Sequence, residues 1–437
     1  MSASASNAES SSRPGVRRRR FSWLEPLTAT LALALTLSSD AHAEPTPAPA
    51  SSLPQRLQVG VPSESARPPE LARFFAALDA LSRKQRSESV RILWLGDSHT
   101  ASDFMTGTWR SALSERFGAG GPGFLRLGVP VRHDWATFER SGRFRIEPMS
   151  PSTRFRRDDG VFGLGGMRIT PSSDARLLVR VAPQSLRGRA RHTLLFDFKQ
   201  PGEIVLRLGS EVVSVKSAND ASRVPGSPIL RRTLEGGVND AFTLEVRRGK
   251  PRFYGLIVEG SEPGVVLDAV GINGARIATA LAWAEAPFVA EVTARKPDLV
   301  VVAFGTNEAF DELRPSAYEA QLRALMSRLR TNTNVDCLVI GPPDATAPTG
   351  EPAPRIAEIS AVYASTARSL GCAFFSGQSL MGGPGAFQRW AQQEPALASA
   401  DRIHLTPKGY RKLGELTLGA LFGAPPVDPV SAFRNSP

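Results

Sequence analysis

The chain has 437 residues, 41% of them hydrophobic, a formal net charge of +11 and two cysteines. That length exceeds one compact domain and fits two or three, and the apolar share excludes wholesale disorder. The charge excess is spread out and mostly Arg, with no recognition-helix signature and no aromatic ladder interleaved with basic residues, so nucleic-acid binding is not expected.

Arg17, Arg18, Arg19 and Arg20 precede an apolar stretch, Leu27 to Leu37, and then Ala41-His42-Ala43, a small-x-small cleavage site. In that order they predict a secretory signal peptide over 1–43 and an exported protein of the periplasm or cell envelope. Arg18-Arg19-Arg20-Phe21 also looks like a twin-arginine signal, so either export route stays open. Five Arg and three acidic residues lie in 1–43, so +9 of the charge stays with the mature chain. No later stretch suits a membrane span, and no stable membrane insertion after cleavage is expected.

Residues 44–66 are rich in Pro, Ser and Ala and read as a linker. The first part of an α/β domain follows over 67–130. It has helical spacing from Pro68 to Lys84, an apolar strand Val90 to Leu95 ending at Gly96-Asp97-Ser98, and a helix over 103–117. Gly118-Ala119-Gly120-Gly121 lacks the ending of a phosphate loop and reads as a flexible loop. Residues 131–262 hold short alternating runs, such as Leu177 to Val181, Thr193 to Phe198, Glu203 to Leu208 and Phe253 to Val258. They predict an inserted antiparallel β-sandwich. Over 263–424 strands at 265–270, 298–304, 335–340 and 372–375 alternate with helices at 277–295, 315–330, 354–370 and 407–421. That is the second part of an α/β/α parallel-sheet domain in three layers. Residues 425–437 form a loose tail. Cys337 and Cys372 fall in consecutive strands, as a disulfide or as two buried thiols.

Ester hydrolysis needs a nucleophile, a base, a group that orients the base, and oxyanion donors. Ser98 follows a strand and opens a helix, where the sites of open parallel sheets collect. Of the four His past residue 43, His99 adjoins Ser98 and should point elsewhere, and His133 and His192 lie in the insert. His404 remains as base, with Asp401 three residues earlier to fix its tautomer. Asn307 in Gly305-Thr306-Asn307-Glu308 can offer its amide to an oxyanion, and Gly271-Ile272-Asn273-Gly274 a backbone N–H. No metal-ligand spacing is present, and no metal or cofactor is expected.

Gly96-Asp97-Ser98, Gly274, Gly305-Thr306-Asn307 and Asp401-Arg402-Ile403-His404 resemble, in order, the four blocks of SGNH/GDSL hydrolases. The resemblance implies Ser98 as nucleophile, His404 as base and Asp401 as its partner. Oxyanion donors would come from the Ser98 and Gly274 backbones and the Asn307 side chain. His99 stands where many members have Leu, and Glu308 where many have Asp. The run Gly96 to Phe104, with Phe117-Gly118, Gly123-Phe124 and Gly264 to Ala275, is similar to bacterial peptidoglycan O-acetylesterases, which carry a carbohydrate-binding-module-like insert. This implies a monomeric carboxylic ester hydrolase acting on an O-acetylated glycan, peptidoglycan first. Alternatives are an acetyl esterase on another polysaccharide, a glycan O-acyltransferase and a non-catalytic glycan-binding envelope protein. The insert either binds glycan through aromatics such as Trp135, Phe138, Phe196, Phe253 and Tyr254, or only shapes the cleft.

Overall fold

A computed structural model describes residues 67–127, 132–148, 159–331, 334–347 and 349–423. The expected signal peptide and linker, residue 66 included, and the tail from 425 lie outside them. In chain order the elements begin with α1 (Ala72–Ser82), β1 (Val90–Gly96), α2 (Ser98–Ala101) and α3 (Phe104–Phe117). Twelve strands follow: β2 (Gly123–Leu125), β3 (Ala136–Ser141), β4 (Phe144–Pro148), β5 (Met167–Pro171), β6 (Arg176–Val181), β7 (Ala190–Phe198), β8 (Glu203–Leu208), β9 (Glu211–Val215), β10 (Ser222–Arg223), β11 (Leu230–Gly236), β12 (Phe242–Arg248) and β13 (Pro251–Gly260). Strand and helix then alternate: β14 (Val265–Gly271), α4 (Ile277–Leu281), α5 (Glu285–Arg295), β15 (Leu299–Ala303), α6 (Pro315–Arg330), β16 (Asp336–Gly341), α7 (Arg355–Ser369), β17 (Ala373–Ser376), α8 (Gly377–Leu380), α9 (Ala386–Ala391) and α10 (Pro407–Leu421).

The strands make a parallel sheet in the order β14-β1-β15-β16-β17 and two separate antiparallel sheets. Successive side chains of β1 point to opposite faces. Ile92 and Trp94 join a core with Phe74, Leu78, Trp109 and Leu413, from α1, α3 and α10. Leu93 and Leu95 join another with Tyr318, Leu322, Ile359 and Tyr363, from α6 and α7. Trp94 meets Trp109 edge-on at 5.0 Å, and Trp109 Nε1 donates to Thr417 Oγ1 at 2.9 Å, which fixes α3 against α10.

The antiparallel sheets run β10-β11-β7-β13-β5-β4, with β2 also on β13, and β3-β6-β12-β8-β9. Leu194, Phe196, Phe253 and Leu256 of the first share one core with Leu177, Leu206, Phe242 and Leu244 of the second. The first sheet is apolar on its other side too: Phe124, Leu195, Tyr254 and Ile257 lie in the same core as Leu93, Val270 and Trp283. Buried Arg295 reinforces this junction, meeting Asp268 and Glu259 at 2.6 Å each, while Arg91 meets Glu259 at 3.0 Å.

Two local expectations change and one open alternative is decided. The helix expected over 277–295 is two helices, because buried Trp283 turns inward between them to pack on Phe288 at 5.1 Å. Pro287 is tolerated because it falls in the first turn of α5. The Gly-rich segment, expected as a flexible loop, pairs its backbone with the start of β14: Gly120 N donates to Val265 O at 3.0 Å and Val265 N to Gly118 O at 2.8 Å. A Cβ on the facing Gly264 would lie 2.5 Å from the Ala119 backbone, so that approach requires glycine. Cys337 of β16 and Cys372, just before the adjacent β17, form a disulfide with Cα atoms 4.8 Å apart.

Candidate active site

The site is assembled at the carboxyl end of the parallel sheet. Gly96 ends β1 where a Cβ would lie 2.1 Å from Thr100 Oγ1 and 2.7 Å from Ala303 O, so only glycine lets the chain turn into α2. Asp97 caps the turn, accepting from His99 N at 3.0 Å. Ser98 is left half-buried as the first residue of α2.

His404 arrives from the other end of the sequence, just before α10, whose start is set by the Thr406 cap and Pro407. Its Nε2 lies 2.8 Å from Ser98 Oγ, and its Nδ1 lies 2.7 Å from Asp401 Oδ2. Asp401 Oδ1 also accepts from Ile403 N at 3.0 Å and His404 N at 2.8 Å. Arg402, at φ 69°, provides the left-handed step that folds the turn back. Partial desolvation raises the Asp401 carboxyl, but the His404 and Ile403 N–H groups and the imidazole outweigh it and hold it below the usual range. Ser98, His404 and Asp401 therefore form one hydrogen-bonded chain in which a hydroxyl can be deprotonated.

The strands flanking β1 bring the other expected residues. Gly274, exposed and at φ 73°, turns the chain after β14. After β15, half-buried Asn307 donates through Nδ2 to Ala275 O at 2.9 Å. An amide has two N–H donors, so one remains for an anion at the surface. Among the described residues no cluster of three or more His, Cys, Asp or Glu could hold a metal ion.

His99 does turn away from Ser98. It is buried with Nδ1 2.9 Å from Tyr410 Oη, although its ring centre stays 5.5 Å from that of His404. Burial, with His404 adding to it, lowers His99 to about 3, so it is neutral at ordinary pH. His133 lies 4.0 Å from Asp103, and His192 stacks on Phe242 at 5.7 Å; neither enters the chain of bonds. Of the insert's aromatics, Phe196, Phe253 and Tyr254 are core, while Trp135 and Phe138 are half-buried.

Two buried carboxylates escaped the sequence reading as site residues. Burial pushes Asp97 up to about 8 and Glu308 up to about 7. The signal in the sequence was an acidic residue at each turn, but their burial depends on contacts far along the chain.

Residues 237–412 match the GDSL-like lipase/acylhydrolase family. A solved structure described as a peptidoglycan O-acetylesterase in action is 23% identical, with a TM-score of 0.66 over 84% of this chain and 99% of that one. It shares the fold. An acetyl xylan esterase (18% identical, TM-score 0.29) matches 36% of this chain and 82% of its own. A family two carbohydrate esterase from Clostridium thermocellum, bound to cellohexaose (10%, TM-score 0.27), matches 65% and 100%. No curated protein matches the chain.

Proposed function

We propose that this chain is a carboxylic ester hydrolase of the GDSL-like lipase/acylhydrolase type, which its residues 237–412 match, and an exported serine esterase that removes O-acetyl groups from peptidoglycan. The observation that carries the chemistry is the unbroken path Ser98–His404–Asp401, with links of 2.8 and 2.7 Å. The choice of acetyl groups and peptidoglycan is supported by local motifs and by the shared fold with a protein described as a peptidoglycan O-acetylesterase. Export is supported by the order of basic, apolar and small-residue segments before residue 44. No helix among the described residues is long and apolar enough to cross a membrane.

In this mechanism Ser98 Oγ attacks the ester carbonyl as its proton passes to His404 Nε2. Asp401 keeps the Nδ1–H tautomer and steadies the imidazolium. The oxyanion accepts from the Ser98 and Gly274 N–H groups and the free N–H of Asn307. The C–O bond to the sugar breaks and His404 returns the proton to the leaving hydroxyl. Water, deprotonated by His404, then releases acetate and Ser98 regains its proton.

The architecture that goes with this function is a three-layer α/β/α hydrolase domain, 67–130 and 263–424, interrupted by a β-sandwich over 131–262. Two cores on opposite faces of the parallel sheet, and a third shared by the antiparallel sheets, support it. A fluorophosphonate probe tests the nucleophile: it is expected to label the wild type and not Ser98→Ala. Equal labelling of both would remove Ser98 from the role.

A further inference from the structure

The turns expected to hold the oxyanion follow β14 and β15, which lie on either side of β1, roughly 10 Å apart across the sheet. They are tied to each other beyond the end of β1. Asn307 donates to Ala275 O, and Arg276 grips Asp311 with two bonds of 2.8 Å. Between these, Glu308 is 0% exposed and accepts from Ile277 N at 2.9 Å through one oxygen and from Gly305 N at 3.1 Å through the other. One carboxylate thus shapes its own turn and holds the opposing one. Among the described residues no salt bridge reaches it. A buried carboxylate without a paired cation is costly, and its place at the foot of two functional turns is where such a cost is tolerated.

We propose that Glu308 is a positioning residue for the oxyanion site. By joining the Gly305 and Ile277 N–H groups it sets the distance between the Asn307 amide and the Gly274 backbone, so that both donors meet one oxygen. The proposal rests on the assignment of Ser98, Gly274 and Asn307 made above.

The test is steady-state hydrolysis of a soluble aryl acetate by Glu308→Gln, Glu308→Asp, Asn307→Ala and Asn307→Ala/Glu308→Gln, with Ser98→Ala as control and thermal unfolding to check folding. The Gln amide accepts through one oxygen only, so one backbone N–H loses its acceptor. Glu308→Gln is expected to lower kcat about ten- to a hundredfold while KM moves less than about threefold, with Glu308→Asp intermediate. The double variant is expected to fall no further than Asn307→Ala, because without the Asn307 amide there is no pair of donors left for Glu308 to align. If Glu308→Gln does not fold, Glu308→Asp carries the same comparison. A kcat within about twofold of wild type in a folded Glu308 variant, or losses that multiply in the double variant, would overturn the proposal. Wild-type activity that survives Ser98→Ala would overturn the underlying site assignment instead, and it is visible in the control alone.

Discussion

Asp401 does three things with two oxygens, and that determines what its amide would do. Oδ1 holds two backbone N–H groups, leaving Oδ2 to face His404 Nδ1. In Asp401→Asn the single oxygen keeps the backbone bonds, which turns the NH₂ toward Nδ1. The imidazole must then accept there and carry its proton on Nε2, where it cannot take one from Ser98. Asp401→Asn is therefore expected to lower kcat by about 10³- to 10⁴-fold, the scale of a wrong tautomer, with unchanged folding. A loss below tenfold would show that another group orients the ring. Asn307→Ala is expected to lose about 10²- to 10³-fold, and full activity would remove it from the mechanism. At this scale Ser98, Asp401 and His404 were legible because each sits in a local signal: a strand end, or a three-residue spacing before a helix start. Glu308 and the His99–Tyr410 contact were not, since their partners lie far off in sequence, 31 residues away for Ile277 and 311 for Tyr410.

Among elements, the parallel strands and α10 fall where apolar runs and capping residues place them, because buried parallel strands read as unbroken apolar segments. The break at Trp283 was hidden by a helical period that continues through it; only the inward packing of the indole decides it. The composition of Gly118–Gly121 suggests a flexible loop, whereas Gly118 and Gly120 pair their backbone with Val265 of β14. The disulfide between β16 and the start of β17 closes a loop of sequence separation 35, worth about 4 kcal/mol if loop entropy governs. Cys337→Ser/Cys372→Ser is thus expected to unfold at lower denaturant concentration, and reduction of the wild type to do the same. Coincident curves for oxidised and reduced protein would contradict this.

Across the whole molecule, buried titratable groups set opposing pH windows. Asp97 and Glu308 have folded values raised to about 8 and about 7, so their protons are held longer in the folded state and stability falls as pH rises above the usual carboxylate range. Burial lowers His99 to about 3 and His133 and His192 to about 4; unfolding lets them protonate, so stability falls as pH drops below about 6.5. Burial raises Glu259, but Arg295 and Arg91 outweigh it and hold it at about 2, so its contribution is present above the usual range and lost as pH falls toward 2. Well below pH 6.5 the three histidines outweigh the two acids, and above it the raised acids Asp97 and Glu308 prevail. Unfolding free energy is expected to peak near pH 6.5, with Asp97→Asn flattening the decline above it. A steady rise from pH 6.5 to 8 would contradict the burial of Asp97. The shared core between the first antiparallel sheet and the α/β part also means that glycan binding is best measured on the full chain.

The proposed reaction is removal of acetyl groups from peptidoglycan by Ser98. Acetate release from O-acetylated peptidoglycan tests it most directly, with acetylated xylan and an aryl acetate alongside and Ser98→Ala as control. Strong release from peptidoglycan that disappears in Ser98→Ala is expected. Ser98-dependent hydrolysis of the aryl ester with none from peptidoglycan would contradict the substrate, and release that persists in Ser98→Ala would contradict the mechanism.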